Sequence, residues 1–115
     1  MSALNEVVEA ATTQLRDAGE ARVDAALVEA VAKGLGPSIY NRDASTVSCS
    51  DPEELARVRD SFVKGKLGVT DADDAIDATI ASVCETLGSS NRNKLRVAFY
   101  YLLTVHYGKQ SVYGA

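Results

Sequence analysis

Hydrophobic residues recur every three or four positions along most of this chain, which is the spacing of an amphipathic α-helix. The pattern predicts five helices, each with one apolar face, over about residues 2–18, 24–33, 50–66, 70–87 and 90–107. Only residues 37–51 lack a helical period over more than one turn. Within them, Thr46-Val47-Ser48-Cys49 is β-branched and brief, so we expect at most one short β contact there.

The turns between the predicted helices repeat a Leu-Gly pair followed by a Ser or Thr, at residues 35–38, 67–70 and 87–90. Glycine can adopt the left-handed conformation that ends a helix, and Ser or Thr can cap the next one. We therefore predict N-caps at Thr70 and Ser90, and a capping box between Ser50 and Glu53. Turns this short predict an all-α fold in which residues 1–115 form a single helical domain. Residues 1–3 and 109–115 are expected to be flexible.

The last predicted helix is apolar on most of its circumference and contains Phe99, Tyr100, Tyr101 and Leu102. A helix of this kind is buried by its neighbours or by a second subunit. We therefore expect this aromatic-rich helix to lie at the centre of the fold. A homodimer formed through it is a further hypothesis.

Charge is distributed unevenly along the 115 residues. All 16 Asp and Glu side chains lie in residues 1–85 with eight of the 12 Lys and Arg, so this part carries −8. Residues 86–115 carry +4, against −4 for the whole chain. The basic segment either docks on the chain's own acidic face or attracts an external anion. Four basic groups on an acidic protein argue against nucleic-acid binding.

The cysteines and the hydropathy pattern indicate a location. Residues 1–20 show no secretory signal, and the longest apolar run, residues 97–103, is too short to cross a membrane. We therefore expect a cytoplasmic protein with no membrane contact, in which Cys49 and Cys84 are reduced thiols. Cys84 lies on an apolar helix face and reads as a small buried hydrophobe. Cys49 is a candidate reactive thiol, with His106 as the one available base.

Three familiar motifs are excluded by their spacing. Residues 34–38 follow a predicted helix and lack the Gly-Lys-Ser/Thr ending of a phosphate loop. The acidic residues 71–77 lack the glycine and the final Glu of a calcium loop. One histidine and two cysteines cannot make an ordinary closed zinc site. The sequence therefore predicts no metal and no cofactor.

The basic segment before the last helix is the best candidate for a binding site. If the helix starts near Ser90, its free N–H groups and positive dipole end lie beside several basic side chains, which favours an anion. The alternative is capping together with salt bridges to the acidic helices. The candidate anion-binding residues are Ser90, Asn91, Arg92, Asn93, Lys94 and Arg96.

Four segments resemble one known family. They are residues 33–40 (KGLGPSIY), 47–55 (VSCSDPEEL), 64–68 (KGKLG), and 88–94 (GSSNRNK) leading into FYYLL at 99–103. Together they are similar to the small bacterial proteins of domain-of-unknown-function family 2853, over most of residues 24–113. The resemblance implies a bacterial, cytosolic, stand-alone domain. It brings no activity, cofactor or catalytic residue.

No paired carboxylates, metal ligands or nucleophile–base set stand out, so the sequence does not favour an enzyme. It predicts a small non-enzymatic module that binds an unknown protein partner. The alternative is an anion or nucleotide-phosphate binder at residues 90–96.

Overall fold

The fold is built from five α-helices packed around the last of them. A computed structural model of the chain describes residues 3–41 and 44–114. The α-helices in this part are α1 (Ala3–Asp17), α2 (Ala25–Leu35), α3 (Pro52–Arg57), α4 (Asp73–Thr86) and α5 (Arg96–His106). Short 3₁₀ helices follow α2 and α5, at Gly36–Tyr40 and Gln110–Tyr113. The described residues contain no β-strand, so the predicted all-α fold is confirmed.

Helix α5 forms the centre of this arrangement. All residues from Val97 to Thr104 are buried, and the helix contacts α1, α2 and α4. The Tyr101 hydroxyl accepts a hydrogen bond from the Asp24 backbone N–H at 3.0 Å, which ties α5 to the start of α2. Burial on all sides accounts for the apolar circumference of this helix.

Helix α3 continues without a break into a π-helical segment, Val58–Lys66. The third helix was predicted to end at Lys66, but the widened turn was not predicted. Its side chains at Val58, Phe62 and Val63 are buried, and the Phe62 ring stacks on Tyr100 with centroids 3.9 Å apart. A Cβ on Gly65 would lie 3.3 Å from the Asp60 carbonyl oxygen, so a larger residue would crowd the backbone at this position.

Three predicted helix starts are wrong. Asp51, not Ser50, caps α3 by accepting a hydrogen bond from the Glu53 N–H. Helix α4 begins at Asp73 rather than near Thr70, and the connection before it contains two buried side chains, Leu67 and Val69.

The third error is the largest, because α5 begins at Arg96 and not near Ser90. Backbone groups of the preceding segment are already bonded to partners elsewhere in the chain and not to one another in a helical pattern. The Gln14 side chain donates to the Asn93 carbonyl and accepts from the Leu95 N–H, both at 2.8 Å. The Val47 N–H donates to the Lys94 carbonyl at 2.9 Å. These bonds keep residues 93–95 out of a helix.

The loop between α2 and α3 makes a short β contact, as its sequence suggested. Thr46 and Leu95 form an isolated antiparallel bridge.

The three Leu-Gly glycines, Gly36, Gly68 and Gly88, all have positive φ, as the repeated turn pattern required. Of the terminal residues expected to be flexible, 110–113 form a 3₁₀ helix, while residues 1, 2 and 115 lie outside the described part of the chain.

Candidate functional site

Two candidate features that are far apart in sequence meet at one surface cleft. The cleft, of about 700 Å³, is lined by residues 46–50, by Cys84 and Glu85 of α4, and by Ser89, Asn91, Arg92 and Lys94. We call it the Lys94 cleft. It contains Cys49 and three residues of the predicted anion-binding segment. A cleft of this volume matches the size of small-molecule sites.

Cys49 and Cys84 are joined by a disulfide in this cleft. Their sulfur atoms are 2.08 Å apart and their Cα atoms 6.1 Å apart. The expectation of two reduced thiols is therefore wrong in this structure, and so is the reading of Cys84 as a simple hydrophobe. Both cysteines are half-buried. His106 does not accompany them, because it lines a separate depression with Val83 and Leu102.

Lys94 is the most unusual side chain of the cleft, because it is charged and only 5% exposed. Its Nζ atom donates one hydrogen bond, of 2.6 Å, to the Asn91 carbonyl. Among the described residues, no carboxylate forms an ion pair with this ammonium group. Removing a charge from water is costly unless an opposite charge compensates it. In the described part of the chain, one carbonyl hydrogen bond is all that offsets the cost of burying the Lys94 charge.

Arg92 provides a second cation at the same cleft. Its side chain is exposed, and no described carboxylate pairs with it. Glu85 is the one acidic residue in the lining, so the lining as a whole carries one net positive charge on an acidic protein. Hydroxyl groups of Ser48, Ser50 and Ser89 add hydrogen-bond donors.

Arg96 was predicted to join the anion site, but the structure uses it differently. Its guanidinium donates to the carbonyls of Ala44 and Thr46, at 2.8 and 3.0 Å, and to the Tyr100 hydroxyl at 3.2 Å. It also pairs with the Glu54 carboxylate, at 2.5 Å. With these partners, Arg96 fastens the loop to α3 and α5 and does not face the Lys94 cleft.

The Arg96 pair alters the protonation of Glu54. Burial by itself raises the pKa of Glu54, but hydrogen bonds from Arg96 and Arg57 outweigh it, so the pKa lies below its ordinary value. Glu54 is thus a carboxylate at neutral pH. Both side chains are largely buried, at 16% exposure for Arg96 and 12% for Glu54.

The remaining predicted residues are divided between the cleft and its surroundings. Asn91 lies between two clefts and shapes the turn, because its side chain donates to the Leu87 carbonyl and accepts from the Asn93 N–H. Asn93 lines the neighbouring depression beside α1. Ser90 is exposed and lines neither. The structure therefore keeps Asn91, Arg92 and Lys94 together and separates the other three.

Sequence reasoning missed the role of Gln14. It lies in α1, about eighty positions before the segment that it holds, and nothing in its local sequence marks it. The sequence also could not show that Ser48 and Ser50 line the same cleft as Arg92, because this depends on the path of the loop.

The described residues contain no cluster of three or more His, Cys, Asp or Glu that could hold a metal ion. None of the helices in this part of the chain has the length and apolarity needed to span a membrane.

Comparison with known proteins identifies a family. The model for proteins of unknown function DUF2853 matches residues 10–111. The chain belongs to this family. The match spans every residue of the Lys94 cleft, so the DUF2853 domain contains the whole candidate site. No curated protein matches the chain.

Proposed function

We propose that this DUF2853 chain binds a small anion, a phosphate ester or a carboxylate, in the Lys94 cleft. The observation that carries the proposal is the buried ammonium of Lys94, which has one hydrogen bond to a carbonyl and no described carboxylate partner. An anion entering the cleft would supply the missing charge. It would also meet Arg92 at the cleft surface, where a guanidinium can bind two anion oxygens at once.

The contrast with Arg96 supports this assignment. Both cations lie within three residues of each other and both are largely withdrawn from solvent. Arg96 has a carboxylate and three further acceptors, whereas Lys94 has one carbonyl. The hydrogen-bonding capacity of Arg96 is therefore largely used within the protein, whereas Lys94 has donor capacity left for a ligand.

The protein-interaction module and the homodimer have less support. Among the described residues, the large hydrophobic side chains that are exposed number three, Tyr40, Val105 and Val112. Interfaces of stable complexes usually have a well-packed apolar centre. Partner and oligomeric state stay predictions, as does the cytoplasmic location. Light scattering tests the dimer, because a homodimer would have twice the mass of one 12.2 kDa chain.

Inorganic phosphate should raise the melting temperature of the protein at constant ionic strength. A ligand at ten times its Kd adds about 1.4 kcal/mol to the stability of the folded state, which is about 4–6 °C for a domain of this size. Lys94→Met should abolish this rise. It should not lower the melting temperature of the free protein, because methionine fills similar space without a buried charge.

Lys33→Met is the matched control, because Lys33 is exposed and paired only with Glu29 on its own helix. It should leave the response to phosphate unchanged. Phosphate also stabilises many proteins by exclusion from their surface, so the comparison between the variants decides the matter. An equal rise in wild type and Lys94→Met would refute the proposal.

A further inference from the structure

The Lys94 cleft contains a disulfide beside two cations, and this combination suggests a chemical activity. We propose that Cys49–Cys84 is a redox-active disulfide that exchanges with an anionic low-molecular-weight thiol bound in the cleft. The inference rests on the proposed function and names its substrate class, a small thiol that carries a carboxylate. Lys94 and Arg92 would bind the carboxylate while the thiol reaches the disulfide that lines the same cleft.

The disulfide is not what holds the loop in place. On one side of Cys49, the Val47 N–H donates to the Lys94 carbonyl and the Thr46 carbonyl accepts from Arg96. On the other side, Asp51 caps α3. Helix α4 is anchored separately by its buried residues Ile76, Ile80 and Val83. Both cysteines therefore keep their places when the bond between them opens, and the bond can form again.

Electrostatics indicate which sulfur leaves. Cys84 lies in the last turn of α4 (Asp73–Thr86), where the carbonyl end of the helix disfavours a thiolate. Both cysteines line the cleft with Lys94 and Arg92, whose positive charge favours a thiolate, but Cys49 lies in the loop and not at the carbonyl end of a helix. Exchange is faster when the departing thiol has the lower pKa. Cys49 is thus the leaving group, and the incoming thiol attacks the sulfur of Cys84.

The exchange balances in two steps. The incoming thiolate forms a bond to Cys84 Sγ, the Cys49–Cys84 bond breaks, and its electron pair remains on Cys49 as a thiolate. A second thiolate attacks the sulfur of the bound small thiol, which departs as a small disulfide and leaves Cys84 as a thiolate. Two thiols have been oxidised and one protein disulfide reduced. The two protons of the small thiols pass to solvent or to the protein thiolates.

An exchanging pair also fits the cytoplasmic location that the sequence predicts. Disulfides of cytosolic proteins are usually transient, and act in catalysis or redox sensing. A disulfide that can be reduced without unfolding the chain is suited to such a transient role. We therefore expect the far-ultraviolet circular dichroism of the reduced protein to equal that of the oxidised protein.

The test measures the rate at which three thiols reduce the oxidised protein. Glutathione is anionic, cysteamine is cationic and 2-mercaptoethanol is neutral. Reactions are stopped by alkylation, and the reduced fraction is read by intact mass. The ratio of the glutathione rate to the cysteamine rate should fall about tenfold in the double variant Lys94→Gln/Arg92→Gln, since both opposite charges are removed. The rate with 2-mercaptoethanol should fall less than the rate with glutathione, because a neutral thiol loses only the effect of the two cations on the departing Cys49 thiolate.

Two single variants keep the test interpretable. Arg92→Gln alters an exposed side chain and should lower the ratio on its own, while Lys33→Gln should leave it at the wild-type value. The inference is overturned if the ratio is the same in all variants, if no thiol reacts without denaturant, or if air-purified protein contains two free thiols. If phosphate still raises the melting temperature in that case, the anion site stands and only the exchange activity fails.

Discussion

Replacing Phe99 by alanine should lower the free energy of unfolding by about 3–5 kcal/mol, which is the usual cost of removing a fully buried aromatic side chain. Phe99 has no exposed surface and lies in the middle of α5, the helix that contacts α1, α2 and α4. A typical domain has only about 5–15 kcal/mol of stability in total. The variant should therefore melt far below wild type in a thermal or urea titration.

Val105→Ala is the matched control for this prediction. Val105 lies in the same helix, but it is 36% exposed. Its truncation removes little buried surface and should change the free energy of unfolding by less than about 1 kcal/mol. Equal melting curves for Phe99→Ala and wild type would contradict the central position of α5.

The position of α5 illustrates what a sequence can predict. Its residues are apolar on nearly all sides, and a helix of this kind is stable only when it is buried. The central position of α5 could therefore be predicted from its own residues. The buried faces of the other helices could be predicted in the same way, from the spacing of their apolar residues. Helix starts were less predictable, because a Ser or Thr can cap a helix only where the backbone around it is free. After Ser90, the Asn93 N–H already donates to the Asn91 side chain, and the carbonyls of Asn93 and Lys94 already accept from Gln14 and Val47.

The candidate site was only half predictable. Local composition marked Arg92 and Lys94 as basic residues without acidic neighbours. It could not show that Lys94 is buried, since burial depends on a loop more than forty positions away. The disulfide was even harder to predict, because 35 positions and two helical elements separate Cys49 from Cys84. Each cysteine alone resembled an ordinary thiol, and the fold makes them a pair.

Arg96→Met should lower the free energy of unfolding by about 3 kcal/mol at neutral pH, as measured by urea titration. Removing one partner of a largely buried pair leaves the other charge without compensation, which is the costly case. Here Glu54 would remain a carboxylate, and among the described residues Arg57 would be its remaining ion-pair partner. The carbonyls of Ala44 and Thr46 would also lose their donor. Adding Glu54→Gln to Arg96→Met should restore part of the loss, because it removes the stranded charge.

The same pair predicts how stability changes with pH. The pKa of Glu54 is lowered in the folded state, so its contribution is present above its ordinary value of about 4.5 and is lost as the pH falls through the folded value. Wild type should therefore lose its advantage over Glu54→Gln in acid, while at neutral pH the difference is full. Glu53→Gln is the control, because Glu53 is exposed and adjacent in the same helix. If wild type and Glu54→Gln differ by the same amount at neutral and acid pH, the Arg96–Glu54 ion pair does not stabilise the folded state.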